Sequence, residues 1–153
     1  MHILVIGESC QDIYRYGDCT RLCPEAPVPI FKSFKDQYGV TPGMAMNVCR
    51  NIKSLSNDEH QVEIVTNINW KEVRKTRFVD QRTNYVTIRI DENDDNIARC
   101  DLSKIDFSLY DAVVISDYNK GFLFEKDIEH ISKNHPNTFL DTKKILGDWC
   151  KDV

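Results

Sequence analysis

The sequence predicts an α/β fold: a parallel sheet with helices on its faces, and a small second sheet standing off it. Three observations predict it. Short unbroken apolar runs recur along the chain, helical patterns lie between them, and two further segments alternate polar and apolar side chains. A strand buried on both faces reads as a continuous apolar run, whereas a half-exposed strand alternates. Strands that alternate with helices point to a parallel sheet with helices packed on it.

The first run is HILVI at residues 2 to 6, ending at Gly7. PVPIFKSFKDQY, residues 27 to 38, alternates, and its Pro27 and Pro29 suit a strand start or an edge rather than a central ladder. Thr41, Pro42 and Gly43 read as a turn leading into a helix from Met44 to Leu55. VEIVT at 62 to 66 is the next buried strand. KTRFVDQRTNYVTIRID, residues 75 to 91, alternates again, so Phe31, Phe34, Phe78, Tyr85, Ile88 and Ile90 are available to one face of the small sheet. DENDDN at 91 to 96 reads as a solvated acidic turn. DAVVIS at 111 to 116, a helix from Leu123 to Ser132 striped by Ile128 and Ile131, and TFLDT at 138 to 142 complete the series. No repeat or low-complexity tract divides the 153 residues, which form one domain.

A composition that is 41% hydrophobic and 29% charged supports a core and excludes a disordered chain. The formal charge of -4 argues against a nucleic-acid surface, which needs an excess of Lys and Arg on one face. An anionic small molecule needs only a few local cations. No run reaches the roughly 18 residues that cross a bilayer, and MHILVIGES reads as a first strand rather than a signal peptide. The six cysteines show no zinc-type spacing, so no metal site is expected and the thiols are read as reduced, in the cytoplasm.

Ligands of open parallel sheets bind beyond the carboxyl ends of the strands. Gly7, Glu8 and Asp12 follow the first run, Asp117 to Gly121 follow DAVVIS, and Asp141 to Lys144 close the last strand. Carboxylates accept bonds from vicinal hydroxyls and lysines neutralise phosphate, so together these ends suggest a polyol phosphate pocket. Taken singly, Asp117 and Asp141 read first as caps or turn formers, and it is their joint placement that points to a pocket. Asn47 is either a residue on the wet side of its helix or a pocket amide at a helix start that Gly43 opens to a ligand.

VIGESCQDIYRYGDCTRLCPEAPVP, TPGMAMNVCRNI, KTRF, IRID, VVISDYNKG and FLDTKK resemble, in order, the landmarks of the ribokinase-like carbohydrate kinases. Within them the chain looks like the heptose 7-phosphate kinase domain of ADP-heptose synthesis enzymes. The resemblance spans nearly the whole chain. It implies that Asp12 and Asn47 hold sugar hydroxyls, with Gly43 allowing close approach, and that Asp117 and Lys120 border the substrate. The segments at 27 to 38 and 75 to 91 become a β lid that covers the sugar and clasps a dimer, Arg77 and Arg89 meet the sugar phosphate, and Asp141 and Lys143 lie near the phosphates. A lid arginine is equally read as a solvated strand residue.

The sequence departs from the family in three places. Where members carry a second glycine before the Asn, this chain has Met44. Between VEIVTNIN and KTRF only WKEVR remains of a longer passage, which reduces the pocket wall. The chain ends about halfway through the family's fold, so the resemblance places the GAGD-like segment, its catalytic aspartate and the nucleotide pocket outside it. No GxxxxGK[ST] or GxGxxG motif replaces them. No catalytic residue is therefore assigned, and ATP and Mg²⁺ are expected only for a complete family member. The expectation is the sugar-binding half of a heptose-phosphate-type kinase, without turnover alone. The alternatives are a non-catalytic sugar-phosphate sensor (a pseudokinase) and a purely structural dimerisation module. Self-association is expected through the lid or through the strand edge at 138 to 142.

Overall fold

A computed structural model describes residues 1–57 and 59–153. The first sheet is wholly parallel, with strands β1 (His2–Gly7), β4 (Gln61–Val65), β7 (Ala112–Asp117) and β8 (Thr138–Thr142) in the order β4-β1-β7-β8. Because successive side chains leave a strand on opposite faces, β1 feeds two cores. Leu4 and Ile6 join Val113, Ile115, Phe122, Leu123, Ile128 and Ile131 on one side. Ile3 and Val5 join Val62, Ala45 and Cys49 on the other. That two-sided burial is why the strand has no polar alternation.

Helix α1 (Ala45–Leu55) covers the second core with Ala45, Val48, Cys49 and Ile52, three and four residues apart along one face. Helix α2 (Glu125–Asn134) covers the first with Ile128 and Ile131. It begins two residues later than the sequence stripe implied, because Leu123 is buried ahead of the helix and Phe124 is its N-cap. The Asp127 carboxylate accepts from the Phe124 amide at 2.8 Å, and acidic residues in the first turn oppose Lys133 in the last, in the sense the helix dipole favours.

The second sheet, the lid, has the order β3-β2-β5-β6, formed by β2 (Ser9–Asp18), β3 (Lys32–Met44), β5 (Arg74–Asp80) and β6 (Tyr85–Glu92). Three expectations need correction here. The strand expected at 27 to 38 lies at Lys32–Met44, and residues 27–31 are irregular apart from a bridge between Leu22 and Pro29. Thr41, Pro42 and Gly43 are strand rather than turn; β3 is an edge, where a proline without an amide hydrogen costs no ladder bond. Asp12, expected to follow a strand end, sits within β2, a strand whose mixed residues SCQDIYRYGD hid it. The segment at 75 to 91 is a hairpin, turning at 81–84 with Asn84 in the left-handed region at φ 58°.

The chain crosses between the sheets at Glu8, Met44, the 66–73 connection and the segment after β6. These crossings are tightly bonded. Glu8 is fully buried and accepts from the amides of Tyr118 (2.9 Å) and Lys120 (2.8 Å). The Ser9 amide donates to Asn67 Oδ1 at 2.8 Å, and Thr66 Oγ1 donates to Ser9 Oγ at 2.7 Å. Among the described residues no helix is long and apolar enough to cross a membrane.

Candidate functional site

The strand register puts charged residues in rows across the lid. Asp12 on β2 stands beside Lys75 on β5, which stands beside Asp91 on β6; two residues along, Tyr14, Arg77 and Arg89 make the next row. Residues two apart on a strand share a face, so both rows lie on one side of the sheet. That side faces the carboxyl end of β7 across a cleft of about 260 Å³, into which Tyr118, Lys120 and Lys143 project from the parallel sheet and Met44 from the foot of α1.

Five cations, Lys75, Arg77, Arg89, Lys120 and Lys143, line this cleft against three carboxylates, Asp12, Asp91 and Asp94. Most of the charge is paired internally. Arg77 donates to Asp12 at 2.5 Å, with the guanidinium also 5.3 Å from the Tyr14 ring centroid. Arg89 pairs with Asp91 at 2.8 Å. Asp94 joins Lys75 and Lys120, both at 2.6 Å, and so ties the lid to the parallel sheet. Lys143 has no carboxylate partner among the described residues and lies 4.9 Å from the Tyr118 ring centroid.

The pairing is strong enough to move proton affinities. Burial opposes the charge of Asp94, yet hydrogen bonds from Lys120 and Lys75 hold its pKa below the ordinary 3.8. Burial likewise works against the Lys75 ammonium, but the Asp94 bond and charge, helped by Asp91, hold it above 10.5. The neighbouring Cys10 thiol is pushed up to about 12 by burial and then by Asp12, so it stays protonated and unreactive. Burial, followed by Asp141, raises the Tyr118 phenol.

The sequence candidates divide. Asp12, Arg77, Arg89, Lys120 and Lys143 come together on the cleft. Gly43 lies opposite Cys10 on the β2–β3 ladder, and a Cβ there would run into the Asp12 carboxylate and stand 2.8 Å from the Cys10 sulfur. Its lack of a side chain therefore makes room for Asp12. Asn47 is exposed on α1 and is not among the cleft-lining residues, which is the wet-side alternative for that position. Asp141 is exposed at the end of β8 and does not line the cleft either.

Asp117 is buried beneath the site rather than on it. Its carboxylate accepts from Lys144 Nζ at 2.9 Å on both oxygens, from Thr142 Oγ1 at 2.5 Å and from the Asn119 amide at 3.3 Å. With the Asp117 side chain 0% and the Lys144 side chain 8% exposed, the pair locks β7 to the end of β8. The sequence reading missed Lys75, Asp91, Asp94 and Tyr118. Lys75 carried a signal, the alternation of Lys75 with Arg77 and of Arg89 with Asp91. Asp94 carried none, because an acidic turn looks the same whether solvated or clamped between two lysines.

No family model matches the chain. It is 33% identical to the bifunctional protein HldE of Sulfurimonas denitrificans across 92% of its own length. The values for HldE of Campylobacter jejuni are 33% and 86%, and for HldE of Helicobacter pylori 31% and 92%. The chain spans about a third of these curated relatives, 36%, 32% and 37% of their lengths respectively. The first alignment runs over 174 positions against a chain of 153 residues, so that relative carries residues this chain lacks.

Among solved structures, phosphofructokinase-2 from Escherichia coli in complex with fructose-6-phosphate matches 94% of the chain with a TM-score of 0.56 at 11% identity, the match covering 55% of that enzyme. A carbohydrate kinase from Agrobacterium tumefaciens matches 87% with a TM-score of 0.52 at 12% identity, covering 49% of that protein. At such identities the likeness is one of fold.

Proposed function

We propose that this chain, similar in sequence to HldE and in fold to about half of the solved sugar kinases, is the sugar-phosphate-binding half of a heptose 7-phosphate type kinase of the ribokinase-like family. The observation that carries this reading is the cleft itself, with five cations against three carboxylates between a lid and the carboxyl end of a parallel sheet. An entering phosphate finds Lys143 free of a carboxylate among the described residues and competes with Asp91 for Arg89, whose side chain is 51% exposed. Bonds from these cations to phosphate are charge-assisted and stronger than neutral ones. Asp12, held by Arg77, is left as an acceptor for sugar hydroxyls.

Phosphoryl transfer is mostly positioning and charge stabilisation of the donor. The cleft offers cations for an anion, and its three carboxylates are engaged with those cations, which supports the reading that the chain binds a sugar phosphate without transferring phosphate by itself. ATP and Mg²⁺ are assigned to a complete family member. The substrate class and a reduced state of the six cysteines support a cytoplasmic location. The expected partner is a second copy through the outer face of the lid, where Val40, Ile88 and Ile90 are 48%, 53% and 44% exposed; the β8 edge with exposed Phe139 is the other surface for self-association.

Calorimetric titration of the chain with a seven-carbon sugar 7-phosphate and with the same sugar unphosphorylated tests the binding claim. Binding of the phosphorylated form only, weakening as salt rises, is expected. Equal or absent binding of both rejects the reading. An ATP-dependent phosphorylation assay should show no turnover, and clear turnover by the chain alone would refute the incapacity.

A further inference from the structure

Met44 stands at φ 58°, ψ -133°, a conformation that glycine enters freely and an L side chain only with strain. The residue is nevertheless well used. The residue is 7% exposed, packs with Cys10 and Val73 beside Tyr118, and forms part of the cleft wall. The helix start does not require it. Met44 makes no side-chain capping bond, and the first two amides of α1 donate elsewhere, Ala45 to the Glu8 carbonyl at 2.9 Å and Met46 to Ser9 Oγ at 3.1 Å. The backbone is held from both sides, by the Ser9–Met44 rung that ends the β2–β3 ladder and by the helix that begins at Ala45.

We propose that Met44 is a built-in plug: from a backbone conformation suited to glycine, its side chain fills the floor of the cationic cleft and so sets the size of the anion the cleft accepts. The inference rests on the anion reading of that cleft. Phosphate itself fits among the cations. The sugar carried by a sugar phosphate competes with the methionine for the space beside Asp12 and Tyr118.

The test is calorimetry on the whole chain and its Met44→Gly and Met44→Ala variants, using inorganic phosphate and sedoheptulose 7-phosphate as probes. Both variants should bind the sugar phosphate on the order of tenfold or more tighter than the parent, with inorganic phosphate changed by less than about threefold. The Gly variant should also melt above the Ala variant, because both lose the thioether and only alanine keeps a Cβ at this positive φ. Unchanged sugar-phosphate affinity in both variants, with inorganic phosphate still binding, overturns the plug and leaves the anion reading standing. Failure of all three proteins to bind either probe removes both. An Ala variant as stable as the Gly variant overturns the claim that the position is built for glycine.

Discussion

In the parallel sheet β1 sends alternate side chains into two apolar cores, whereas in the lid the same alternation separates unlike chemistries. One lid face carries Asp12, Lys75, Arg77, Arg89 and Asp91 toward the cleft. The other leaves Val40, Ile88 and Ile90 in solvent. A sheet buried on both sides gains stability from each side chain it hides, while a sheet that turns its charges toward a cleft and its apolar residues to solvent gains little from either face. The proposed function thus divides stability and recognition between the two sheets, and substitutions should divide in the same way.

The largest effect is expected beneath the parallel sheet. Lys144→Met leaves the Asp117 carboxylate without its cation at a fully buried site, which costs about 3–5 kcal/mol in urea unfolding. Leu4→Ala, which removes a fully buried side chain, should cost about 2–5 kcal/mol by the same measurement. If either cost less than a substitution on the outer lid face, the division of labour between the sheets would be wrong.

A smaller effect, dependent on pH, is expected where the lid meets the sheet. The folded pKa of Asp94 lies below 3.8, so its contribution is present above that pH and is lost as the pH falls through the lower folded value. The folded pKa of Lys75 lies above 10.5, so its contribution is complete below that pH and is lost as the pH rises through the higher folded value. Asp94→Asn should flatten the acid limb of the stability profile and cost about 1–3 kcal/mol at neutral pH. An unchanged acid limb would mean that Asp94 does not clamp the two lysines in solution.

On the outer lid face, Ile88→Lys and Ile90→Lys should each change monomer stability by no more than about 0.5 kcal/mol. Their effect belongs to association. Sedimentation velocity should show the double variant shifted toward monomer relative to the parent chain. A parent that is monomeric at high concentration would remove the lid as a dimer surface and sharpen the contrast differently, leaving its apolar face without a partner of its own kind.

Much of the fold was legible because local pattern and tertiary burial agree in the parallel sheet. HILVI, DAVVIS and TFLDT fall on β1, β7 and β8 to within a residue or so. Strand β2 was not legible, since SCQDIYRYGD mixes a cleft carboxylate, a ring under Arg77 and residues of the outer face in one run. Of the candidate site, the lid arginines and Asp12 could be read from motif and alternation. Asp117 was ambiguous because a strand-end carboxylate looks the same whether it opens onto a ligand or closes on a lysine 27 residues later, as it does here.

The sequence by itself determined which segments are strands buried on two faces, which helical stripes cover them, and that polar and apolar residues alternate along the lid segments, because these are properties of neighbours along the chain. Only the tertiary structure decided that Asp94 is clamped between Lys75 and Lys120, that Asn47 looks to solvent, and that Met44 holds a glycine's backbone at the floor of the cleft. Those outcomes depend on register across strands and on residues distant in sequence meeting at the crossings between two sheets, where burial and charge are set by partners that no local pattern names.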